Sequence, residues 1–329
     1  MSDRKEFSAG PALPAAEIRA LLAAAPARTP IWQSTPETAR AEQQRLLAAR
    51  AKGPDMARVR DIVIAGPGGP LPIRLYRPPD ANGAAILYFH GGGWVIGSIE
   101  DSDAHVRRLA IATGCTMLSV GYRLAPEHPF PAAIEDALAA WQWAWSRLRG
   151  PDTVLAIAGD SAGGNIAAGA IIALHASGAE LPAFQLLGYP VLSGAMDSAS
   201  YRDQRDSPVL TAKDMAWFWD QYAPDLATRS DPRSSPLEAA VPAGLPPTLV
   251  LTAECDPLRD EGRAYAERLR AAGVHVFHRC YAGMVHGFYK ISGDLEGSRA
   301  ALADVRSLVA RQLAAMPNRQ RIDADLLLD

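Results

Sequence analysis

Cysteine is scarce in this chain: Cys115, Cys255 and Cys280 are the only three in 329 residues, and their spacing suits no metal. An odd, unpaired set excludes a disulfide framework and fits a reducing compartment, with the thiols acting as small buried hydrophobes. Long apolar runs are also missing. No stretch approaches the roughly 18 consecutive apolar residues that a membrane-spanning helix needs. Basic excess is absent, since 33 Lys and Arg face 36 Asp and Glu for a formal net charge of −3. That balance removes the global positive field that nucleic acid or anionic lipid would call for. Met1–Phe7 is charged and has no apolar signal core, so no secretion signal is expected. Neither an internal repeat nor a low-complexity linker is visible. A soluble, cytoplasmic protein with no nucleic-acid partner and no membrane insertion is therefore expected.

Hydrophobic residues make up 48% of the chain and charged ones 21%, enough for one large α/β domain or two average ones. Residues 14 to 52 are Ala-rich and suggest helices around 15–25 and 36–51, the second opened by Thr35 as a cap and Pro36 at the first helical position. From Val59 the pattern changes. Segments 59–64 and 71–76 alternate around Pro67-Gly68-Gly69-Pro70, which signals a hairpin. Apolar runs at 84–89, 116–120, 154–158, 184–189, 248–252 and 274–278 then read as strands, most with helical segments between them. This alternation predicts a mostly parallel sheet covered on both faces, with the hairpin as an antiparallel edge. Residues 197–230 interrupt it with an aromatic amphipathic stretch, Met215 to Tyr222, which suits a helix of an inserted lid or simply core.

The chemistry starts at Gly159-Asp160-Ser161-Ala162-Gly163-Gly164, between a strand and a helix. Glycines on both sides of a serine permit a turn too tight for a Cβ, which lifts the hydroxyl off the sheet as a nucleophile. The same turn aims the N–H of Ala162 at the reaction centre. His90-Gly91-Gly92-Gly93-Trp94 follows another strand, and its glycines let backbone N–H groups face a ligand. Gly92 and Gly93 are the expected oxyanion donors beside Ala162, with Gly91 open if the loop register differs. His90 reads as a brace for that loop rather than a general base. His286, after a late strand, is the better base, and Asp256, just past strand 248–252, is the acid in the right chain order. Asp260 and Glu261 compete for that role but fall at a helix start, where they would favour the helix dipole. His105, His128, His175, His275 and His278 have no comparable setting.

Taken together, His-Gly-Gly-Gly-Trp at 90–94, Gly-Asp-Ser-Ala-Gly-Gly at 159–164, Asp-Pro-Leu-Arg-Asp-Glu-Gly at 256–262 and His-Gly-Phe at 286–288 resemble the bacterial hormone-sensitive lipase family. Tyr122-Arg123-Leu124-Ala125-Pro126-Glu127-His128-Pro129-Phe130-Pro131 matches a structural signature of the same family. The similarity spans roughly residues 55 to 315. It implies an α/β-hydrolase fold, a mostly parallel central sheet flanked by helices with a helical cap, and a Ser161–Asp256–His286 triad. The cap would come from residues 1–52 and an insertion at 197–230, the catalytic core from 53–196 and 231–316, and 317–329 would be a C-terminal tail. The implied activity is hydrolysis of short- to medium-chain carboxylic esters through an acyl-enzyme, with no cofactor and no metal. Asp160 places the chain near the Gly-Asp-Ser-Ala-Gly subgroup, whose members are often dimeric, so a homodimer is one assembly the resemblance implies. Ser102 and Gly121 depart from the family pattern, where histidine and aspartate are usual, and neither belongs to the triad. Lipase, lactonase, amidase or acyltransferase chemistry would use the same acyl-enzyme and stays open at this point. A non-catalytic binding relative is disfavoured by the intact Ser161, Asp256 and His286.

Overall fold

The computed structural model describes residues 12–26, 28–47, 52–148, 153–291 and 295–316. The tail 317–329, the end of the second expected helix at 48–51, and Met1–Phe7 lie outside the described residues. Strands are β1 (Arg58–Gly66), β2 (Gly69–Arg77), β3 (Ala85–Phe89), β4 (Thr116–Val120), β5 (Leu155–Asp160), β6 (Gln185–Gly188), β7 (Thr248–Cys255) and β8 (Val276–Val285). Helices are α1 (Ala16–Ala24), α2 (Pro36–Leu47), α3 (Ile99–Thr113), α4 (Ala132–Leu148), α5 (Ala162–Ala176), α6 (Ala199–Asp203), α7 (Ala212–Tyr222), α8 (Arg259–Ala271), α9 (Phe288–Ile291) and α10 (Glu296–Ala314). Among the described residues no helix is long and apolar enough to cross a membrane.

One sheet runs in the order β1-β2-β4-β3-β5-β6-β7-β8. The β1–β2 and β2–β4 pairs are antiparallel and the remaining neighbours parallel, so the hairpin does form an antiparallel edge. Side chains of a strand alternate between faces, and here both faces are covered. Ile86 and Tyr88 of β3 enter one core, while Leu87 and Phe89 enter the other. That is why the central strands read as unbroken apolar runs. Helix α5 lies behind the sheet with ten consecutive buried residues, Ala162 to Ile171, a closeness that its Ala and Gly content permits.

Two strands outrun their sequence signal. The expected 248–252 extends to Cys255, and the expected 274–278 extends to Val285. Strand β8 is an edge with one ladder, to β7, so polar and exposed residues such as Arg279 are tolerated and mask the pattern. A register irregularity between Ala253 and Cys255 then brings Cys255 opposite Val285.

The aromatic stretch 215–222 is helical and also core. Met215, Phe218, Trp219 and Tyr222 are its buried residues, at the spacing of one helix face. Helix α7 starts with a capping box, in which Thr211 accepts from Asp214 N–H and Asp214 answers to the Thr211 backbone. Asp214 Oδ1 also accepts the N–H of Trp32, 3.2 Å away, from a 3₁₀ turn at Ile31–Gln33. Lys213 sits over the Trp32 ring at 4.7 Å. The N-terminal segment and α7 thus meet each other.

Candidate active site

Ser161 closes β5 and opens α5 with φ +54° and ψ −120°, a backbone state that costs of order 1–3 kcal/mol for a residue with a side chain. The surroundings hold it there. Its N–H donates to Gly188 O at 2.8 Å, and its carbonyl accepts from Asn165 N (3.1 Å) and Val191 N (3.3 Å). A Cβ on Gly163 would stand 2.0 Å from Phe89 O, so the turn needs glycine there because the end of β3 passes so close.

His286 and Asp256 are placed by strand register. Since Cys255 lies opposite Val285, the residues that follow leave adjacent strands side by side. His286 Nδ1 lies 2.8 Å from Asp256 Oδ2, and His286 Nε2 lies 2.9 Å from Ser161 Oγ. With Nδ1–H donating to the carboxylate, the Nε2 lone pair faces the serine hydroxyl. Asp256 is fully buried, and its other oxygen accepts the N–H of Leu258 at 2.9 Å, which fixes the carboxylate plane. The ring of Tyr189 leans on His286 at 4.8 Å.

The glycine loop is braced from behind. His90 stacks on Tyr122 at 4.3 Å, and Tyr122 OH donates to His90 O at 2.7 Å. His90 Nδ1 is 2.9 Å from Gly91 O, and burial pushes the imidazole down to about 4, so it is a neutral ring donating to its own loop. Gly91 N–H donates to Asp160 Oδ1 at 2.9 Å. That bond occupies Gly91 and leaves it no free donor for an oxyanion. Among the described residues nothing accepts the N–H of Gly92, Gly93 or Ala162. Gly93, at φ +56°, also packs against α7: a Cβ there would lie 2.1 Å from the Phe218 ring.

Trp94 follows with φ +61°, its ring stacked on Tyr222 at 4.1 Å and tilted against Trp219 at 4.9 Å, both from α7. Its indole N–H donates to Asn165 Oδ1 at 3.2 Å, while Asn165 Nδ2 donates to Val191 O and Ser234 O. One buried amide therefore ties the helix behind Ser161 to the glycine loop. No motif reasoning distinguishes Asn165, Tyr88 or Lys290 in advance, because their work lies in contacts between distant segments.

The competing carboxylates fall at a helix start, as the sequence leads one to expect. Asp260 and Glu261 sit in the first turn of α8, and both are buried. Asp260 accepts from Ser200 N at 2.9 Å and pairs with Arg259 at 3.0 Å. Glu261 Oε2 accepts from Leu192 N (2.6 Å) and Ser193 N (3.0 Å), and burial pushes its carboxyl up to about 8. Both hold the segment after β6; neither is bonded to His286. Among the described residues no group of three His, Cys, Asp or Glu side chains gathers as a metal site.

The profile of the family described as alpha/beta hydrolase fold matches residues 86–290. The chain is 39% identical over 283 residues to an ethyl acetate hydrolase of Pseudomonas putida, covering 83% of this chain and 88% of that one. It is 40% identical over 254 residues to the carboxylesterase NlhH of Mycobacterium tuberculosis, covering 74% and 78% of the two chains. The solved structure of the hyperthermophilic esterase of Pyrobaculum calidifontis superposes with a TM-score of 0.84 at 38% identity, over 92% of this chain and 99% of that one. A serine on a strained strand-to-helix turn, bonded to a histidine that a buried aspartate orients, thus sits on a fold shared with esterases across bacteria and archaea. The chain belongs to the α/β-hydrolase fold family, within its hormone-sensitive lipase-like group of carboxylic ester hydrolases.

Proposed function

We propose that Ser161 is the nucleophile, His286 the general base and acid, and Asp256 the orienting carboxylate of a carboxylesterase acting on short- to medium-chain esters. The observation that carries this reading is the continuous line of hydrogen bonds from Asp256 Oδ2 through His286 to Ser161 Oγ, 2.8 and 2.9 Å long. His286 Nε2 takes the hydroxyl proton as Ser161 Oγ attacks the ester carbonyl, and Asp256 stabilises the imidazolium that forms. The N–H groups of Gly92, Gly93 and Ala162 receive the oxyanion, each donor worth about 3–4 kcal/mol in reactions of this type. The imidazolium then protonates the leaving alcohol. Water repeats the cycle on the acyl-enzyme to release the acid, and no step calls on a cofactor.

The acyl preference is supported by the relative named ethyl acetate hydrolase and by the aromatic closure above Gly93. We assign α1 and α2 together with α6 and α7 to a cap, supported by the contact of Trp32 with Asp214. The test is hydrolysis of a nitrophenyl ester series by wild type and Ser161→Ala. Loss of turnover in the variant and a wild-type optimum at short or medium acyl length are expected. Wild-type rates in Ser161→Ala would remove the nucleophile assignment, and an optimum at long acyl chains would replace the esterase reading with a lipase one.

A further inference from the structure

We infer that Lys290 is a positioning residue of this active site, acting through Asp160 to fix the loop that presents the oxyanion donors. The inference rests on Ser161, His286 and Asp256 being the triad.

Asp160 immediately precedes the nucleophile, and its side chain is 3% exposed. Its Oδ1 accepts the Gly91 N–H at 2.9 Å and the Tyr88 hydroxyl. Its Oδ2 faces Lys290 Nζ at 3.3 Å, and Lys290 Nζ also donates to Ser102 Oγ at 3.2 Å. Among the described residues Lys290 is the one cation within ion-pair distance of this carboxylate. The aromatic groups around it are neutral, and Arg108, the other cation in the cluster, is bonded to the Lys290 carbonyl. Burial holds the phenols of Tyr88, Tyr189 and Tyr289 far above their usual range, and it holds His105 well below its own. Burial alone would push Asp160 up as well, yet its carboxyl lies below the ordinary value, with Lys290 the largest influence opposing burial.

The consequence for the site is geometric. An ionised Asp160 is an acceptor only, and it holds the Gly91 N–H with a charge-assisted bond. Gly91 immediately precedes Gly92 and Gly93, so that bond sets where their N–H groups point. Without Lys290 a buried carboxylate takes up a proton on the oxygen that faced the ammonium, and the bond that Oδ1 accepts from Gly91 loses its charge assistance. Lys290 itself is fixed to the catalytic segment. Helix α9 begins two residues after His286, and Arg108 donates to the Lys290 carbonyl at 3.0 Å. One ammonium thus joins the histidine segment, the serine turn and, through Asp160, the glycine loop, and it bonds Ser102, one of the two positions where this chain departs from the family pattern.

The experiment compares Lys290→Met, Lys290→Arg, Asp160→Asn and the Asp160→Asn/Lys290→Met double variant, with thermal melts to establish that each folds. Steady-state hydrolysis of nitrophenyl butyrate and inhibition by a trifluoromethyl ketone are the readouts, since the bound hemiketal needs the same donors. Lys290→Met is expected to lower kcat by about tenfold or more, less than the loss of a whole oxyanion donor, with KM within about twofold. Inhibitor affinity should weaken by the same factor, and Lys290→Arg should recover most of both. In the Asp160→Asn background the Lys290→Met change should add less than about twofold, because the two act as one unit. A Lys290→Met enzyme with wild-type kcat overturns the inference. So does a Lys290→Arg enzyme as poor as Lys290→Met, or a double variant in which the two losses multiply. If Lys290→Met does not fold, Asp160→Asn with Lys290 intact must still show the kcat-specific loss, and unchanged kcat there overturns the inference. Failure of the triad reading looks different, because Ser161→Ala would then keep its rate.

Discussion

Arg40, on the second helix of the chain, donates its Nε to the carbonyl of Val95 at 2.8 Å, two residues beyond Gly93. The same guanidinium donates to Ala125 O at 2.7 Å and grips Glu127 with both terminal nitrogens. The N-terminal segment is therefore bonded to the loop that carries the proposed oxyanion donors, and does not merely rest on it.

Arg40→Met should consequently affect both stability and rate. Glu127 is half exposed, so the ion pair alone is worth about 0–1 kcal/mol. Two part-buried carbonyls left without donors add about 1–3 kcal/mol of destabilisation. A lower melting temperature and a fall in kcat of a few-fold are expected. Glu127→Gln, which keeps both carbonyl bonds, should do much less. Equal losses in the two variants would mean that the ion pair and not the loop contact is what matters.

Asp256→Asn keeps the shape of the proposed triad but presents an amide N–H or a weaker acceptor to His286 Nδ1, favouring the wrong tautomer. Turnover should fall by a factor on the order of 10⁴ while KM and the melting temperature change little. Activity within tenfold of wild type would transfer the orienting role to another group.

Phe218→Ala should widen the cleft. The ring packs from α7 against Gly93 and is 5% exposed, so its loss costs stability, by about 3–5 kcal/mol if the space stays empty. A longer acyl chain can occupy that space. The ratio of nitrophenyl octanoate to butyrate kcat/KM should rise about tenfold, the worth of one or two well-placed methylenes. An unchanged ratio in a folded variant would show that Phe218 does not bound the acyl site.

Stability should vary with pH in two opposite senses. His90 and His278, each pushed by burial to about 4 from 6.5, bind fewer protons folded than unfolded between those values, so stability is lost as pH falls from 6.5 toward 4. Glu261, pushed by burial to about 8 from 4.5, binds more protons folded than unfolded, so its contribution is lost as pH rises toward 8. Only above about pH 7.5 are these histidines neutral in both states, and there Glu261 is the one of these groups still titrating. Melting temperatures of wild type should decline from about pH 7.5 to 8.5, and Glu261→Gln should flatten that decline. Parallel curves for the two proteins would assign the alkaline slope to another group.

Much of the site was legible in the sequence because its parts are local. A serine between glycines after a strand, a glycine run after another strand, and a histidine after a late one each declare themselves within a few residues. Asp256 was separable from Asp260 and Glu261 by its place at a strand end. The rest depends on packing. Glu261 was legible only as a helix-start residue, and the approach of the Leu192–Ser193 backbone is what makes it a buried acceptor. The length of β8 was hidden because an edge strand need not alternate.

The sequence by itself determined the order of the chemical groups, the parallel sheet that carries them and the positions where only glycine fits, since each follows from local sterics and hydrophobic period. Tertiary structure decided which groups meet. The β7–β8 register set Asp256 beside His286, the Gly91 N–H of the glycine loop was engaged by Asp160, and Lys290 was brought from beyond the histidine to face that carboxylate. Those relations join residues tens to more than a hundred positions apart, and no local pattern encodes a distance across a folded core.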